Sequence, residues 1–304
     1  MWTSKVWFVL GTAALLLLAA VLAGTLLKSS SGSEALQYFE QNFLTRAAAY
    51  QRSAILVSVA RQFIFWGALS AVAAVVWKQF PSQARAPLLP TVAYLALIVL
   101  LLSLLTFPLD YYRGFILEHR FGLSLQSFSA WLTDYAKNFS ISFLLTVLAL
   151  FGLYLLMIRL PGRWWAAAGV FVTLFLVLST YLYPIIIDPL FYRFTTLEDE
   201  ELHSSIIEMS KEAGIEVDKV LVADASRRTT KVNAYFTGMG RTKRIVIFDN
   251  LLAGFSKEEI LAVIAHEMGH WKHSHIFKGI VLGAAGMFLG FFLLQRLLDG
   301  MGAG

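Results

Sequence analysis

The sequence predicts a mainly α-helical, polytopic membrane bundle into which a small α+β domain is inserted. Hydrophobic residues make up 58% of the 304-residue chain, and the mean hydropathy of +0.66 lies well above that of soluble domains. Long apolar runs recur along the chain, and the stretch before the last run has the charge density of a soluble domain. Helices are the expected spanning elements because they satisfy their own backbone polar groups within the bilayer.

The apolar runs have the length of membrane-spanning helices, which need about 20 residues. The first covers residues 6–27, and Lys5 before it resembles the start of a signal peptide. The run is longer than a usual signal-peptide core and further spans follow, so a retained anchor is expected. The other predicted spans are residues 62–77 (extended backwards by 53–60), 86–109, 138–158, 164–187 and 279–295.

This pattern predicts three parts. Residues 1–187 form a membrane bundle of five helices, residues 188–277 a water-soluble domain, and residues 278–304 a sixth membrane helix. Within the soluble stretch, a helix over residues 198–213 is expected to end at Gly214. Residues 219–223, 233–237 and 244–248 read as strands, and the last two are joined by a turn that contains Gly238 and Gly240.

Charge and cysteine content exclude several classes of protein. The net charge is only +5, and the charges are concentrated in loops and in the soluble stretch. This distribution is typical of a protein inserted in a lipid bilayer, and we expect no nucleic-acid partner. The chain has no cysteine, which excludes disulfides, thiolate metal ligands and a cysteine nucleophile. Any metal ion must therefore be bound by nitrogen and oxygen atoms.

A metal-binding motif lies on a well-marked helix. Ser256 and Glu259 form a capping box, so a helix should begin at Lys257, and this helix carries the sequence His266-Glu267-Met268-Gly269-His270. Two histidines four residues apart project from one helical face and can reach a single Zn²⁺, one per chain. Glu267 is placed to accept a proton from zinc-activated water. The motif therefore predicts a gluzincin-type zinc metallopeptidase domain with Glu267 as general base.

Alternatives remain open at this motif. An isolated match can arise by chance on a helix with two unrelated histidines. His273 and His275 are expected to support the metal ligands from outside, or to lie at the membrane interface, rather than to bind the metal themselves. A catalytic zinc needs a third protein ligand, and sequence alone does not choose among Glu258, Glu259 and Asp249 before the motif and Asp299 after it.

Five further stretches carry a family resemblance: EHRFGLSLQ (118–126), DPLFYRFTT (188–196), SRRTTKVNAYFTG (226–238), RIVIFDNLL (244–252) and HEMGHWK (266–272). On these the chain resembles the integral-membrane CAAX prenyl endopeptidases, which are zinc proteases, and their prokaryotic homologues. The resemblance implies a helical bundle around a water-filled chamber. It also implies that Asn233, Ala234 and Tyr235 lie on an edge strand whose backbone pairs with an extended substrate; an ordinary hairpin strand is the alternative.

The family pattern continues past the last residue of this chain, with a seventh span and a glutamate, in an E-x-x-x-D setting, that supplies the third ligand. We therefore expect a truncated sequence in which this ligand lies beyond Gly304. The family's later histidine that assists the oxyanion would be missing as well. On this interpretation the 304 residues bind zinc weakly and turn over poorly or not at all.

The sequence-based hypothesis is a monomeric, multi-pass membrane endopeptidase that cleaves near the C-terminus of peptides or proteins, possibly prenylated ones. It is expected in the inner membrane of a prokaryote or an endoplasmic-reticulum-type membrane of a eukaryote. A membrane quality-control protease and a non-catalytic scaffold or transporter are the alternatives. The side of the soluble domain stays open, since the family favours the cytosol whereas the positive-inside rule favours the opposite face on the basis of Lys5, Lys78, Arg85, Arg159 and Arg163.

Overall fold

A computed structural model describes residues 35–79, 87–217, 219–238 and 243–300. The first predicted span, residues 6–27, lies outside the described residues. Within them, five helices are long and apolar enough to cross a membrane: Gln41–Ala74, Leu88–Arg120, Phe128–Arg159, Trp164–Leu190 and His275–Gly300. Each of these helices overlaps one of the other five predicted spans, and residue 86, the first of the span 86–109, lies outside the described residues. The mainly helical fold with a small mixed sheet confirms the predicted fold class.

The described part up to Gly122 forms one compact unit. Its two long helices are α1 (Gln41–Gln79) and α2 (Leu88–Tyr111). Polar contacts join α1 to α2 and to the helical residues after it: Arg61 Nε lies 2.6 Å from Asp110 Oδ1, and the Tyr50 hydroxyl donates to Glu118 Oε1 at 2.5 Å. Ionisable groups within apolar helices are stable only when they are paired or hydrated, so these contacts fix how α1 and α2 meet.

Helix α2 does not end at the predicted residue 109. Pro108 lies inside it, and the helical chain continues as a π-helical turn, Tyr112–Leu117, followed by Glu118–Arg120. A proline in a helix removes one hydrogen bond and crowds the preceding turn, yet the helical chain continues beyond Pro108, and the π turn begins four residues after it. The apolar run ends at Leu109, but the helix does not.

The second compact unit begins at Leu123. Its long helices are α3 (Phe128–Arg159), α4 (Trp164–Leu182) and α8 (His275–Gly300), and α4 packs against both α3 and α8. Ring pairs line the α4–α8 contact, with centroid distances of 5.9 Å for Trp164–Phe291 and 5.2 Å for Trp165–Phe292. Helix α4 continues through a π turn, Tyr183–Ile187, and a 3₁₀ turn, Asp188–Leu190, into the sheet.

The sheet has four strands in the order β1-β2-β4-β3, with β2 and β4 parallel and the outer pairs antiparallel. The strands are β1 (Phe194–Thr196), β2 (Lys219–Ala223), β3 (Ala234–Thr237) and β4 (Arg244–Phe248). The three predicted strands are confirmed. Strand β1 was not predicted, because it has only three residues, one half-buried and two exposed, and shows no alternation that a sequence pattern could reveal.

Three helices pack on or beside the sheet: α5 (Glu200–Glu212), α6 (Asp249–Gly254) and α7 (Lys257–Lys272). Asp199 caps α5 by accepting from the Leu202 amide at 2.9 Å, and Gly214, with φ of 73°, ends it as predicted. The main core lies between this helical layer and one face of the sheet. The division at residues 187 and 277 stays a prediction.

Candidate metal centre

Helix α7 starts at a complete capping box. The Ser256 hydroxyl accepts from the Glu259 amide at 3.4 Å, and Glu259 Oε2 accepts from the Ser256 amide at 2.8 Å. Both bonds satisfy amide groups that would otherwise lack a partner at a helix start. The predicted cap is therefore confirmed, and it fixes where the helix that carries the motif begins.

A buried stripe fixes which way the motif faces. Ile260, Ile264 and Met268 recur every four residues and are each at most 3% exposed, packed in the core with Ala234 and Phe236 of β3. The motif histidines are two positions further along, and two residues correspond to about 200° around a helix. The core thus turns the imidazoles away from the sheet, and both are exposed within the described residues.

The two motif histidines lie at the separation that a zinc ion needs. Nε2 of His266 and Nε2 of His270 are 3.2 Å apart, and their ring centroids are 4.9 Å apart. Two nitrogens bound at 2.0–2.1 Å to a tetrahedral zinc would lie about 3.3 Å apart. The residues therefore fit the metal, and half-buried Glu267 follows His266 directly in the chain.

Within the part of the chain that the structure describes, no group of three or more His, Asp or Glu side chains is arranged to hold a metal. Three of the acids considered as third ligand have other partners. Glu259 caps α7, Asp249 accepts from the Ser226 amide and hydroxyl at 2.7 and 2.5 Å, and Asp299 accepts from Gln295 Nε2 at 2.5 Å. Among the described residues, the candidate ligands that lie together are therefore the two motif histidines.

The chain turns sharply after the motif. Helix α7 ends at Lys272, Ser274 has a left-handed backbone with φ of 53°, and α8 starts at His275. The turn returns His275 to the motif, so that its Nδ1 lies 2.7 Å from Nδ1 of His270. His273 does not reach His270 in this way and stacks on His275, with ring centroids 5.8 Å apart.

Of the predicted substrate-binding residues, Ala234 and Tyr235 lie on β3, and Asn233 directly precedes it. The sheet order places β3 at an edge, next to α7. Asn233 O accepts from the Phe248 amide at 3.0 Å, and Tyr235 is opposite Val246. Since hydrogen-bonded pairs alternate along an antiparallel strand, Asn233 and Tyr235 direct their backbone groups to β4, and Ala234 directs its own to the open side.

The Tyr235 side chain enters a polar cluster that sequence reasoning did not find. Its hydroxyl donates to Asp188 Oδ2 at 3.1 Å, and Arg244 lies 3.6 Å from the same oxygen and also donates to the Pro184 carbonyl. Burial, and then the nearby Asp188 carboxylate, raise the pKa of Tyr235 far above its ordinary value. The cluster joins the end of α4 to β3 and β4.

A second polar contact was also missed. Arg228 lies 2.6 Å from Asp134 near the start of α3, and the two side chains are 15% and 16% exposed, respectively. The Leu125 amide donates to Arg228 O at 2.9 Å, and the Thr230 amide donates to Leu123 O at 3.2 Å. These partners are about a hundred positions apart, so no local sequence signal could have paired them.

Two family models match the chain. Peptidase family M48 matches residues 196–302, the part with the sheet, the motif helix and α8. The model described as "CAAX prenyl protease N-terminal, five membrane helices" matches residues 34–193. Together the two models cover most of the described residues.

Individual relatives agree with these models. The CAAX prenyl protease 1 of Saccharomyces cerevisiae is 36% identical over 208 residues, 68% of this chain and 46% of that protein. The uncharacterized metalloprotease YhfN of Bacillus subtilis is 34% identical over 209 residues, 69% and 49% of the two chains. The crystal structure of S. mikatae Ste24p matches with a TM-score of 0.69 and 30% identity, over 84% of this chain and 60% of that one. This chain thus spans about half the length of the curated relatives.

Proposed function

Because the chain belongs to peptidase family M48 and to its branch with the CAAX prenyl protease N-terminal membrane helices, we propose that it is a membrane-embedded zinc metalloendopeptidase. His266 and His270 hold one Zn²⁺, and Glu267 is the general base. The observation that carries this proposal is the 3.2 Å separation of the two Nε2 atoms on a capped helix whose opposite face is buried in the core. An unrelated histidine pair would not need to match the spacing of two zinc ligands.

Different residues of this chain have different roles in the proposed hydrolysis of a peptide bond. When bound, the zinc ion supplies a Lewis acid that makes water nucleophilic at neutral pH and polarises a carbonyl. The Glu267 carboxylate accepts the proton of the attacking water and delivers it to the leaving amine. Helix α7 holds the two imidazoles and this carboxylate on one rigid element, which limits the motion needed to reach the reactive arrangement.

The edge strand β3 is the proposed binding site for the substrate backbone. An extended peptide can add to a sheet edge through main-chain hydrogen bonds, and Ala234 presents its amide and carbonyl on that side. Asn233 and Tyr235, whose backbone groups face β4, position the strand and do not pair with the substrate directly. Among the described residues no strand pairs with this side of β3.

The proposed substrates are peptides or proteins cleaved near the C-terminus, prenylated ones included. Support comes from the relatives named CAAX prenyl protease 1 in Saccharomyces cerevisiae and CAAX prenyl protease 1 homolog in Homo sapiens, the latter 30% identical over 68% of this chain. A prenylated CAAX peptide and its unprenylated counterpart are therefore the appropriate pair of test substrates. Equal cleavage of the two would argue against recognition of the prenyl group.

The test combines metal analysis with one base variant. At zinc concentrations that saturate the site, the purified protein is expected to bind about one zinc per chain. Glu267→Gln should keep the zinc while lowering whatever cleavage rate the unaltered protein shows by about 10²–10⁴-fold, the usual contribution of a general base. Glu208→Gln changes an exposed acid on helix α5, which was not a candidate ligand, and should leave both quantities unchanged. Protein without zinc, or cleavage that survives Glu267→Gln, would refute the proposal.

A further inference from the structure

The imidazole of His270 has a neighbour on each of its two nitrogens. Nε2 lies 3.2 Å from Nε2 of His266, and Nδ1 lies 2.7 Å from Nδ1 of His275. The two ring nitrogens point in different directions, so His275 lies on the side of the ring away from the proposed metal. His275 therefore contacts a ligand without being able to share the ion between the two Nε2 atoms.

The position of the proton on the neutral His270 ring follows from which nitrogen faces the metal. A neutral imidazole that binds a metal through Nε2 carries its proton on Nδ1. At 2.7 Å this Nδ1–H can donate to Nδ1 of His275, whose own proton is then on Nε2. The contact thus selects one tautomer of each ring and fixes the plane of the His270 ring.

The position of His275 depends on the turn between the two helices. On a continued helix a residue five positions after His270 would point about 140° away from it. Instead the left-handed Ser274 breaks α7, and the Ser274 amide donates to the Trp271 carbonyl at 2.8 Å. The first residue of the next helix is brought back against the second ligand.

We propose that His275 is a positioning residue for the metal centre: it accepts the hydrogen bond of His270 Nδ1–H and so holds His270 Nε2 towards the ion. The inference rests on the proposed function, since it concerns the same metal. Partners of this kind on a ligating histidine set ring orientation and ligand basicity, and their loss typically weakens metal binding 10–100-fold. His275, the first residue of α8, would thus influence how tightly His270 on the preceding helix binds the metal.

Two nearly isosteric substitutions isolate the hydrogen bond. In His275→Asn the side-chain oxygen can occupy the place of Nδ1 and still accept, whereas His275→Leu keeps a similar shape and cannot accept. The zinc dissociation constant of each full-chain variant is measured by competition with a chromogenic chelator. His275→Leu should bind zinc 10–100-fold more weakly, and His275→Asn should stay within about threefold of the unaltered protein.

His273 provides the matched control, because it stacks on His275 from the same turn. His273→Leu is expected to stay within about threefold in zinc affinity. The visible spectrum of Co²⁺-substituted protein gives a second readout, since a reoriented ligand changes the absorption bands of the ion. His275→Leu should change these bands, and His275→Asn and His273→Leu should retain them.

The outcomes separate this inference from the proposed function. If the unaltered protein binds no zinc, the proposed function fails. If it binds zinc and His275→Leu binds equally well, His275 has no positioning role. Equal weakening by His275→Leu and His275→Asn would also overturn the inference, because the asparagine keeps an acceptor. The melting temperature of the metal-free variants shows whether the bare fold is unchanged, as expected.

Discussion

Nε2 of His266 and Nε2 of His270 lie 3.2 Å apart on helix α7. This separation follows from the four-residue spacing on one helix, and the helix itself is held in place by residues outside the motif. The capping box begins the helix at Lys257, and the stripe that contains Ile264 and Met268 fixes its rotation against the sheet. A pair of ligands held in this way loses little side-chain freedom on binding, so the core contributes to metal affinity.

The proposed zinc ligands His266 and His270 make metal binding and folding interdependent. Zinc that binds only the folded state should stabilise it by about 2.7 kcal/mol at a free concentration 100 times the dissociation constant. His266→Ala should remove most of this stabilisation because one nitrogen cannot replace two. The measurement is the melting temperature of the purified protein with zinc and with a chelator.

His203→Ala is the control for this experiment, since His203 lies on helix α5, away from the motif in sequence. It should retain the full zinc-induced rise in melting temperature. A zinc-induced rise of the same size in His266→Ala would show that the stabilising metal binds elsewhere.

Much of this site could be predicted from the sequence because its signals are local. The spacing of His266 and His270, and the Ser256–Glu259 box, each lie within one or two helical turns, and helical geometry turns such spacings into directions. Strands β2 and β4 are short apolar runs between polar segments, which is also a local pattern. The membrane helices follow from length and hydropathy alone.

The rest depends on contacts that no local pattern encodes. The approach of His275 to His270 needs a left-handed serine, a conformation that residues other than glycine adopt rarely. Asp134 meets Arg228, and Asp188 meets Tyr235, across long stretches of chain. The helical chain also continues past residue 109 through a π turn, and hydropathy does not report backbone hydrogen bonding.

Ser256 should contribute about 1 kcal/mol to stability through its cap. Ser256→Ala removes the acceptor for the Glu259 amide and should lower the free energy of unfolding by that amount, without changing the zinc stoichiometry. The measurement is chemical unfolding in detergent, with zinc present throughout. Ser205→Ala is the control, because its exposed hydroxyl donates only to the Glu201 carbonyl of its own helix.

We expect the control to change stability by less than about 0.5 kcal/mol, as is usual for surface positions. Equal effects of the two substitutions would mean that the capping box contributes nothing beyond an ordinary surface hydroxyl.

Tyr235 should make the protein less stable at alkaline pH. Burial and the Asp188 carboxylate raise its pKa above the ordinary value, so the folded state keeps the phenolic proton after the unfolded chain has lost it at about pH 10. The unfolded state then binds fewer protons, and stability is full below pH 10 and falls as the pH rises past it. Tyr235→Phe should flatten this decline.

The same substitution should cost about 1–2 kcal/mol at neutral pH, because the buried Asp188 loses a donor. Urea unfolding between pH 7 and pH 11 measures both effects. Tyr38→Phe, at a side chain that is 77% exposed, should change the neutral stability by less than about 0.5 kcal/mol. An unchanged alkaline decline in Tyr235→Phe would contradict the assignment.

Gly169 should be intolerant of any side chain because helix α4 contacts α8 there. A Cβ atom at this position would lie 2.5 Å from the Phe288 ring, which is closer than such atoms approach one another. The clash involves Cγ, Cδ1 and Cε1 of the ring, so relief requires the Phe288 ring to move or the helices to separate. Gly169→Ala should therefore lower stability by about 1–3 kcal/mol, as overpacking usually does.

Gly283→Ala is the matched control, since a Cβ at Gly283 of α8 meets nothing within 4 Å. Alanine favours helix over glycine by up to about 1 kcal/mol, so this variant should be as stable as the unaltered protein or slightly more. Thermal unfolding of both variants in the same detergent measures the difference. Because α8 begins at His275, separation of α8 from α4 should also weaken zinc binding in Gly169→Ala, and unchanged stability there would show that the helices are not in close contact.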